Sequence, residues 1–159
     1  MSKITIRPAK IAELKIVQDL CSELIKYELP FDQTENANFA YEKSGREYLE
    51  KAIAGEQTCC LVAEIDGVVA GYLAGSMTER VEYVAGANRW AEIETMFVRA
   101  EYRRQAIGEK LIARFKVWVR QQHAAKISVG TYFDSAAAEF YKAVGFRDYS
   151  RDLVMEVKK

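Results

Sequence analysis

Two carboxylates in one short run of the sequence, Glu92 and Glu94, have a spacing that suits proton transfer. Alternate residues of an extended strand point to the same face, so these side chains would lie about 6 to 7 Å apart. Two neighbouring carboxylates resist simultaneous ionisation, which raises the pKa of one of them. Such a group can act as a general base toward an amine. The alternative is a pair of carboxylates on a solvated strand face.

The segment Arg103-Arg104-Gln105-Ala106-Ile107-Gly108 follows the β-rich run that contains these carboxylates and opens an amphipathic helix. The first N–H groups of a helix lack internal partners, and the aligned peptide dipoles place about half a positive charge there. Phosphate suits such a site, and the two arginines can add charge-assisted hydrogen bonds. The pattern therefore predicts an anion site, with an exposed basic turn as the alternative.

The spacing Arg-x-x-Ala-x-Gly of residues 103–108 resembles the pyrophosphate loop of the GNAT acetyltransferases, whose usual form is Arg/Gln-x-x-Gly-x-Gly/Ala. A second segment is similar to the family pattern Asn-x-x-Ala-x-x-Phe-Tyr…Gly-Phe, through Asp134, Ala137, Phe140, Tyr141, Gly145 and Phe146. Two matches in the order typical of the family are stronger than either alone. The resemblance implies acetyl-CoA as cosubstrate and the GNAT acyltransferase fold, an α/β fold whose mixed central sheet carries helices on both faces.

The resemblance also implies roles for individual residues. Glu94 is the preferred base and Glu92 the alternative, since family members carry the carboxylate at either position. Tyr141 would protonate the departing thiolate, because a phenol with a pKa near 10 stays protonated at neutral pH; its alternative role is a core aromatic. The predicted cofactor-binding residues are Met96, Phe97, Val98, all six residues of 103–108, Asp134, Ala137 and Tyr141.

Two positions depart from the family pattern. Ala106 replaces the first glycine of the loop, which would cost about 1 kcal/mol if its φ must be positive. Asp134 replaces the usual asparagine, so it cannot donate an amide hydrogen bond to pantetheine. We expect Asp134 to cap its helix instead.

Periodicity predicts the elements that must position these residues. In strand 90–98, alternation places Trp90, Met96 and Val98 on the face of the two carboxylates, and Ile93, Thr95 and Phe97 on the other. A β-hairpin is expected around Asp66-Gly67. The full predicted order is a strand at 3–7, helices from about 10 to Pro30 and at 37–54, hairpin strands at 58–65 and 68–76, a loop or strand extension at 77–89, a strand at 90–98, a helix from 107 to near 123, a strand at 126–132, a helix at 134–144 and a closing strand at 153–157.

Composition limits the class of protein. The chain has 159 residues, with 23 Lys plus Arg and 23 Asp plus Glu, which suits one domain over 1–159 and gives no basic field for nucleic acid or an anionic membrane. Its three cysteines form no disulfide framework and, with a single histidine, no metal site. We expect a cytoplasmic protein without a membrane span. A homodimer stays an open alternative.

The leading functional hypothesis is an N-acetyltransferase that moves an acetyl group from acetyl-CoA to a primary amine by direct attack. The acidic loop with Glu28, Asp32 and Glu35 favours an acceptor that is cationic at neutral pH, either a small molecule or a peptide amine. The alternative, kept open by Ala106 and Asp134, is a catalytically silent acyl-CoA-binding or protein-interaction module on the same fold.

Overall fold

A computed structural model of the chain describes residues 2–79 and 89–158. Its regular elements are, in chain order, β1 (Ile4–Pro8), α1 (Leu14–Glu28), α2 (Lys43–Ala54), β2 (Thr58–Ile65), β3 (Val68–Glu79), β4 (Arg89–Val98), α3 (Ile107–Gln121), β5 (Lys126–Val129) and α4 (Ala136–Ala143). α1 forms because apolar side chains recur at helical spacing and are buried, namely Val17, Leu20, Cys21 and Leu24. It ends just before Pro30, whose ring cannot continue a helix.

The five strands form one sheet in the order β1-β2-β3-β4-β5. Neighbouring strands are antiparallel except β4 and β5, which are parallel and are joined through α3. Asp66 and Gly67 connect β2 to β3 with φ angles of 48° and 86°. Positive φ at both central residues is the requirement of a tight hairpin turn, so the predicted hairpin is confirmed.

Hydrophobic clusters cover both faces of the sheet. Along β2 successive residues go to opposite sides, with Leu61 in one cluster and Val62 in the other. α3 packs on the first side through side chains such as Phe115, whereas α1 and α2 pack on the second side through side chains that include Leu20 and Leu49. The expected mixed sheet with helices on both faces is therefore confirmed.

The predicted closing strand at 153–157 is wrong. Residues 144–158 contain no strand, and Leu153, Val154, Met155 and Val157 are 85% to 93% exposed. The chain before them is held by side-chain contacts instead, since Tyr149 packs on Trp90 with ring centroids 5.3 Å apart. A run of apolar residues favours a strand only where a partner strand is available, and within the described residues this run has none.

Three further predictions need correction. β5 ends at Val129 rather than at residue 132, and α4 begins at Ala136 rather than at Asp134. Ser135, not Asp134, occupies the N-cap of α4. The expected alternation along β4 also fails, because Met96 and Val98 pack in the same cluster as Ile93, while Phe97 packs in the opposite one. A bulge in β4, described below, causes this shift.

Two further sequence predictions concern the length of β3 and the presence of a membrane span. β3 extends to Glu79, so the predicted strand extension after residue 76 is present that far, and residues 80–88 of that prediction lie outside the described residues. Among the helices of the described ranges, none combines the length and the apolarity needed to cross a lipid bilayer.

Candidate active site

An unpaired strand edge borders the main cavity of the described residues. β5 pairs with β4 only over residues 90–93, whereas β4 continues to Val98 with β3 on its other side. Within the described ranges, the backbone groups of residues 94–98 therefore face no strand on the β5 side. A cavity of about 410 Å³ opens there, between β4, the N-terminus of α3 and the start of α4. Free backbone groups of this kind can pair with an extended ligand.

The loop before α3 forms one end of this cavity. Arg104 and Ala106 both have left-handed backbone conformations, with φ angles of 61° and 58°, and α3 starts at the next residue. Nε of Arg103 donates to the carbonyl oxygen of Val98 at 2.8 Å, and its guanidinium lies over the rings of Phe97 and Tyr27 at 5.3 and 5.5 Å. Arg103 therefore fixes the loop against β4, while Arg104 is exposed and can meet an anion.

The positive φ of Ala106 leads to a stability prediction. An alanine at a φ of 58° costs about 1 kcal/mol relative to glycine. We expect Ala106→Gly to raise the free energy of unfolding by up to about 1 kcal/mol and to bind CoA as tightly as the natural chain, or more tightly. Denaturant unfolding and calorimetric titration with CoA measure the two effects.

Ala113→Gly is the matched control for this prediction, because Ala113 is exposed within α3. Glycine in a helix interior should lower the free energy of unfolding by about 1 kcal/mol. If both variants were destabilised equally, Ala106 would not be strained.

A bulge in β4 sets the position of Glu94. Ile93 lies opposite Gly75 and Thr95 lies opposite Ala74, which leaves Glu94 without a partner in β3. Bulges redirect side chains and occur often beside active sites. The carboxylate of Glu94 accepts a hydrogen bond from the hydroxyl of Ser76, and Glu94 lines the cavity.

Glu92 occupies a different environment from Glu94. It is exposed and pairs with Ser76 in β3 and with Ser128 in β5, so it lies where β4 is bordered on both sides. It does not line the cavity. Of the two carboxylates, Glu94 alone borders the cavity.

Buried hydroxyl groups lie close to Glu94. The side-chain oxygens of Tyr48, Tyr72 and Thr95 are buried and meet no hydrogen-bond partner within the described residues. Burial, followed by the nearby Glu94 carboxylate, raises the pKa of the Tyr48 phenol, so this group stays protonated. No sequence pattern signals this polar set, because its members come from α2, β3 and β4 and meet only in the fold.

Tyr141 lies on α4 and borders the same cavity. It is 7% exposed, and its ring meets Phe140 and Phe146 edge-on, each at 5.3 Å between centroids. Burial, followed by the charge of Glu28, raises the pKa of its phenol well above the usual value, which keeps the hydroxyl protonated. The residue is therefore part of the core and also available as a proton donor at the cavity wall.

The end of α1 and the loop after it form the opposite wall. Glu28 is the last residue of α1 and lines the cavity. α1 is held to the end of β4 by Arg99, which donates to Glu23 at 2.8 Å. The loop is held to the segment after β5, since the hydroxyl of Tyr132 donates to Glu35 at 2.7 Å. These two contacts hold α1 and the loop at this wall of the cavity.

Most residues predicted from the sequence come together at this cavity. Besides Glu94 and Tyr141, its walls contain Met96, Phe97, Val98, Arg103, Arg104, Ala106, Ile107, Gly108 and Ala137. Glu92, Gln105 and Asp134 lie outside its walls. Asp134 is exposed and does not cap α4, so its predicted cofactor contact has no support in the geometry.

Three aromatic residues of the cavity wall, Tyr27, Phe31 and Tyr132, were not among the site residues predicted from the sequence. Phe140 belonged to the predicted motif but was not predicted to line the cavity. One signal for Tyr132 was present, because segments after the carboxyl end of a parallel strand commonly reach a ligand site. Within the described residues no group of histidine, cysteine and acidic side chains could hold a metal ion.

The fold and the cavity together define an α/β protein with a candidate anion site beside a strand edge. By sequence, residues 22–146 match the model of the acetyltransferase (GNAT) family. The chain belongs to this family. No curated protein matches the chain by sequence.

Solved structures show the same fold at low sequence identity. The aminoglycoside N-acetyltransferase AAC(6')-Iy in complex with CoA has a TM-score of 0.79 at 16% identity, over 100% of this chain and 97% of that chain. A tetramutant of the BH1408 protein from Bacillus halodurans reaches 0.83 at 16% identity, over 96% of this chain and 99% of that chain. The aminoglycoside 6'-N-acetyltransferase AAC(6')-Ih from Acinetobacter baumannii reaches 0.77 at 18% identity, over 99% of each chain.

Proposed function

We propose that this protein is an N-acetyltransferase that moves the acetyl group of acetyl-CoA to a cationic primary amine by direct attack. The observation that carries the proposal is a cavity that brings together a strand edge, a helix N-terminus beside Arg104, a carboxylate and a buried phenol. The amine nitrogen bonds to the thioester carbonyl carbon and the carbon–sulfur bond breaks. The carboxylate takes the proton of the amine, and the phenol gives its proton to the departing thiolate.

The cavity suits the cofactor along its length. Within the described residues, no strand pairs with residues 96–98 on the β5 side, so the backbone groups that point to that side can pair with the pantetheine arm, except the Val98 carbonyl, which accepts from Arg103. The first N–H groups of α3, near Ile107 and Gly108, can meet the pyrophosphate. The solved structure of AAC(6')-Iy, a protein of the same fold, contains CoA, which supports this assignment.

Glu94 is the proposed base and Tyr141 the proposed acid. An amine with a pKa near 10.4 costs roughly 4 to 5 kcal/mol to deprotonate at pH 7, and a carboxylate beside it offsets part of that cost. The protonated phenol of Tyr141 supplies the proton that the departing thiolate needs. Glu92 stays the alternative base.

We also propose that residues 1–159 form a single domain, because both hydrophobic clusters pack on one sheet. Its three cysteines are buried and free, which agrees with the reducing cytoplasm that we propose as its compartment. The acceptor is a small-molecule or peptide amine; AAC(6')-Ih, of the same fold, acts on aminoglycosides by its name.

The experiment is a panel of amines assayed by thiol release, alongside calorimetric titration with acetyl-CoA. We expect cationic aliphatic amines to be acetylated and neutral arylamines to be poor acceptors, because the carboxylates of Glu28 and Glu94 face the cavity. Good turnover of arylamines with none of cationic amines would refute the acceptor class. Binding of acetyl-CoA without turnover of any amine would favour the silent module.

A further inference from the structure

Glu28 is a carboxylate without a counter-charge among the described residues. It lies half-buried at the end of α1, in the cavity wall. Within residues 2–79 and 89–158, its carboxylate has no ion-pair or side-chain hydrogen-bond partner, and the charge that acts on it is the negative charge of Glu35. Arg103 also lines the cavity, but its guanidinium is engaged by Val98 and two aromatic rings. A half-buried carboxylate without a cation is costly unless a ligand supplies one.

Aromatic rings line the same cavity as this carboxylate. Phe31 stacks on Tyr132 with centroids 5.5 Å apart and an interplanar angle of 11°, and Tyr27 lies 6.4 Å from Phe31 at 51°. All three residues line the cavity with Glu28. Aromatic faces attract ammonium groups. One carboxylate together with three rings is a suitable environment for an organic cation.

This site is distinct from the position of Glu94. Glu28 comes from α1, and Glu94 comes from the bulge of β4. The charge of Glu28 acts on Tyr132 and Tyr141, whereas that of Glu94 acts on Tyr48. The cavity therefore offers negative charge at two separate places. An acceptor with a single ammonium group would leave one carboxylate uncompensated.

We propose that Glu28, with the rings of Tyr27, Phe31 and Tyr132, binds a second ammonium group of the acceptor, so that the preferred substrates are flexible diamines or polyamines. This inference rests on the proposed function and narrows its substrate class. Burial, followed by the charge of Glu35, raises the pKa of Glu28 to about 7. A bound cation would counter that effect and favour the ionised carboxylate.

The test compares two amines with the same four-carbon chain, the diamine putrescine and the monoamine n-butylamine. Each is titrated by calorimetry into the protein saturated with CoA, so that binding is measured without turnover. We expect putrescine to bind about tenfold more tightly or better, an advantage of about 1.4 kcal/mol. Equal affinities in the natural chain would overturn the proposal without any variant.

Variants then assign the preference to the site. Glu28→Gln should reduce the ratio of the two amine affinities toward one and leave CoA affinity unchanged. Phe31→Leu should lower the same ratio partly. Glu56→Gln, at an exposed position outside the cavity, is the control and should keep the full ratio. A folded Glu28→Gln protein that keeps the natural ratio of putrescine to n-butylamine affinity would refute the role of Glu28. If Glu28→Gln does not fold, the ratio measured for Phe31→Leu decides whether the site binds the second ammonium group.

Kinetics separate this inference from the proposed function. In the thiol-release assay, Glu28→Gln should raise KM for putrescine about tenfold more than it raises KM for n-butylamine. Absence of thiol release with every amine would refute the transferase, while the binding titrations would still decide the diamine site.

Discussion

Glu94→Gln should lower kcat by roughly 10² to 10⁴, because a general base contributes about that much to rate. The carboxamide keeps the shape of the side chain but cannot take the amine proton. CoA affinity should stay nearly unchanged, since the pyrophosphate and pantetheine contacts come from other residues. Steady-state kinetics and calorimetry with CoA measure these effects.

Two companion variants make this result specific. Glu92→Gln should keep near-natural kcat, because Glu92 lies outside the cavity; the reverse outcome would move the base to Glu92. Tyr141→Phe keeps the ring contacts with Phe140 and Phe146 and removes only the hydroxyl. It should lower kcat with little loss of stability. If all three variants kept the kcat of the natural chain, the rate enhancement would come from positioning and ordered water.

The prediction of the fold succeeded where a local pattern coincided with burial. The helical spacing in α1, the Asp66-Gly67 turn and the stripe along α3 each have a local cause, and the structure contains all three elements. The strand at 153–157 failed because pairing is not a local property. The apolar run was visible in the sequence, but whether a strand edge would be available to it was not.

The candidate site shows the same division between local and tertiary causes. The loop 103–108 was predictable, but whether Ala106 adopts a positive φ was left open by the sequence, and the structure shows that it does. The bulge at Glu94 was not predictable, because it depends on the register between β3 and β4. It changed the faces expected for Met96, Phe97 and Val98. The contact between Phe31 and Tyr132 was also hidden, since it joins residues about a hundred positions apart.

The close approach of α3 to α4 makes Gly108 the most sensitive position of the loop. A Cβ atom added to Gly108 would lie 2.8 Å from Cζ of Phe140, which is too close for a normal contact. Phe140 and Tyr141 both border the cavity, so any movement that relieves the contact displaces the cofactor wall or the first turn of α3.

We therefore expect Gly108→Leu to raise the dissociation constant of acetyl-CoA about tenfold or more, equivalent to about 1.4 kcal/mol. Gly108→Ala should have a smaller effect in the same direction. Calorimetry with acetyl-CoA gives the affinity, and thermal unfolding shows that the variants remain folded.

A double variant tests whether the contact with the ring is the cause. Phe140→Leu removes the atoms that a side chain at residue 108 would meet, so Gly108→Ala combined with Phe140→Leu should bind acetyl-CoA more tightly than the effects of the two single variants predict. Purely additive losses would mean that residue 108 acts through the helix N-terminus alone. Unchanged affinity in a folded Gly108→Leu protein would remove the loop from the cofactor site, since the first N–H groups of α3 could not then be the donors that hold the pyrophosphate.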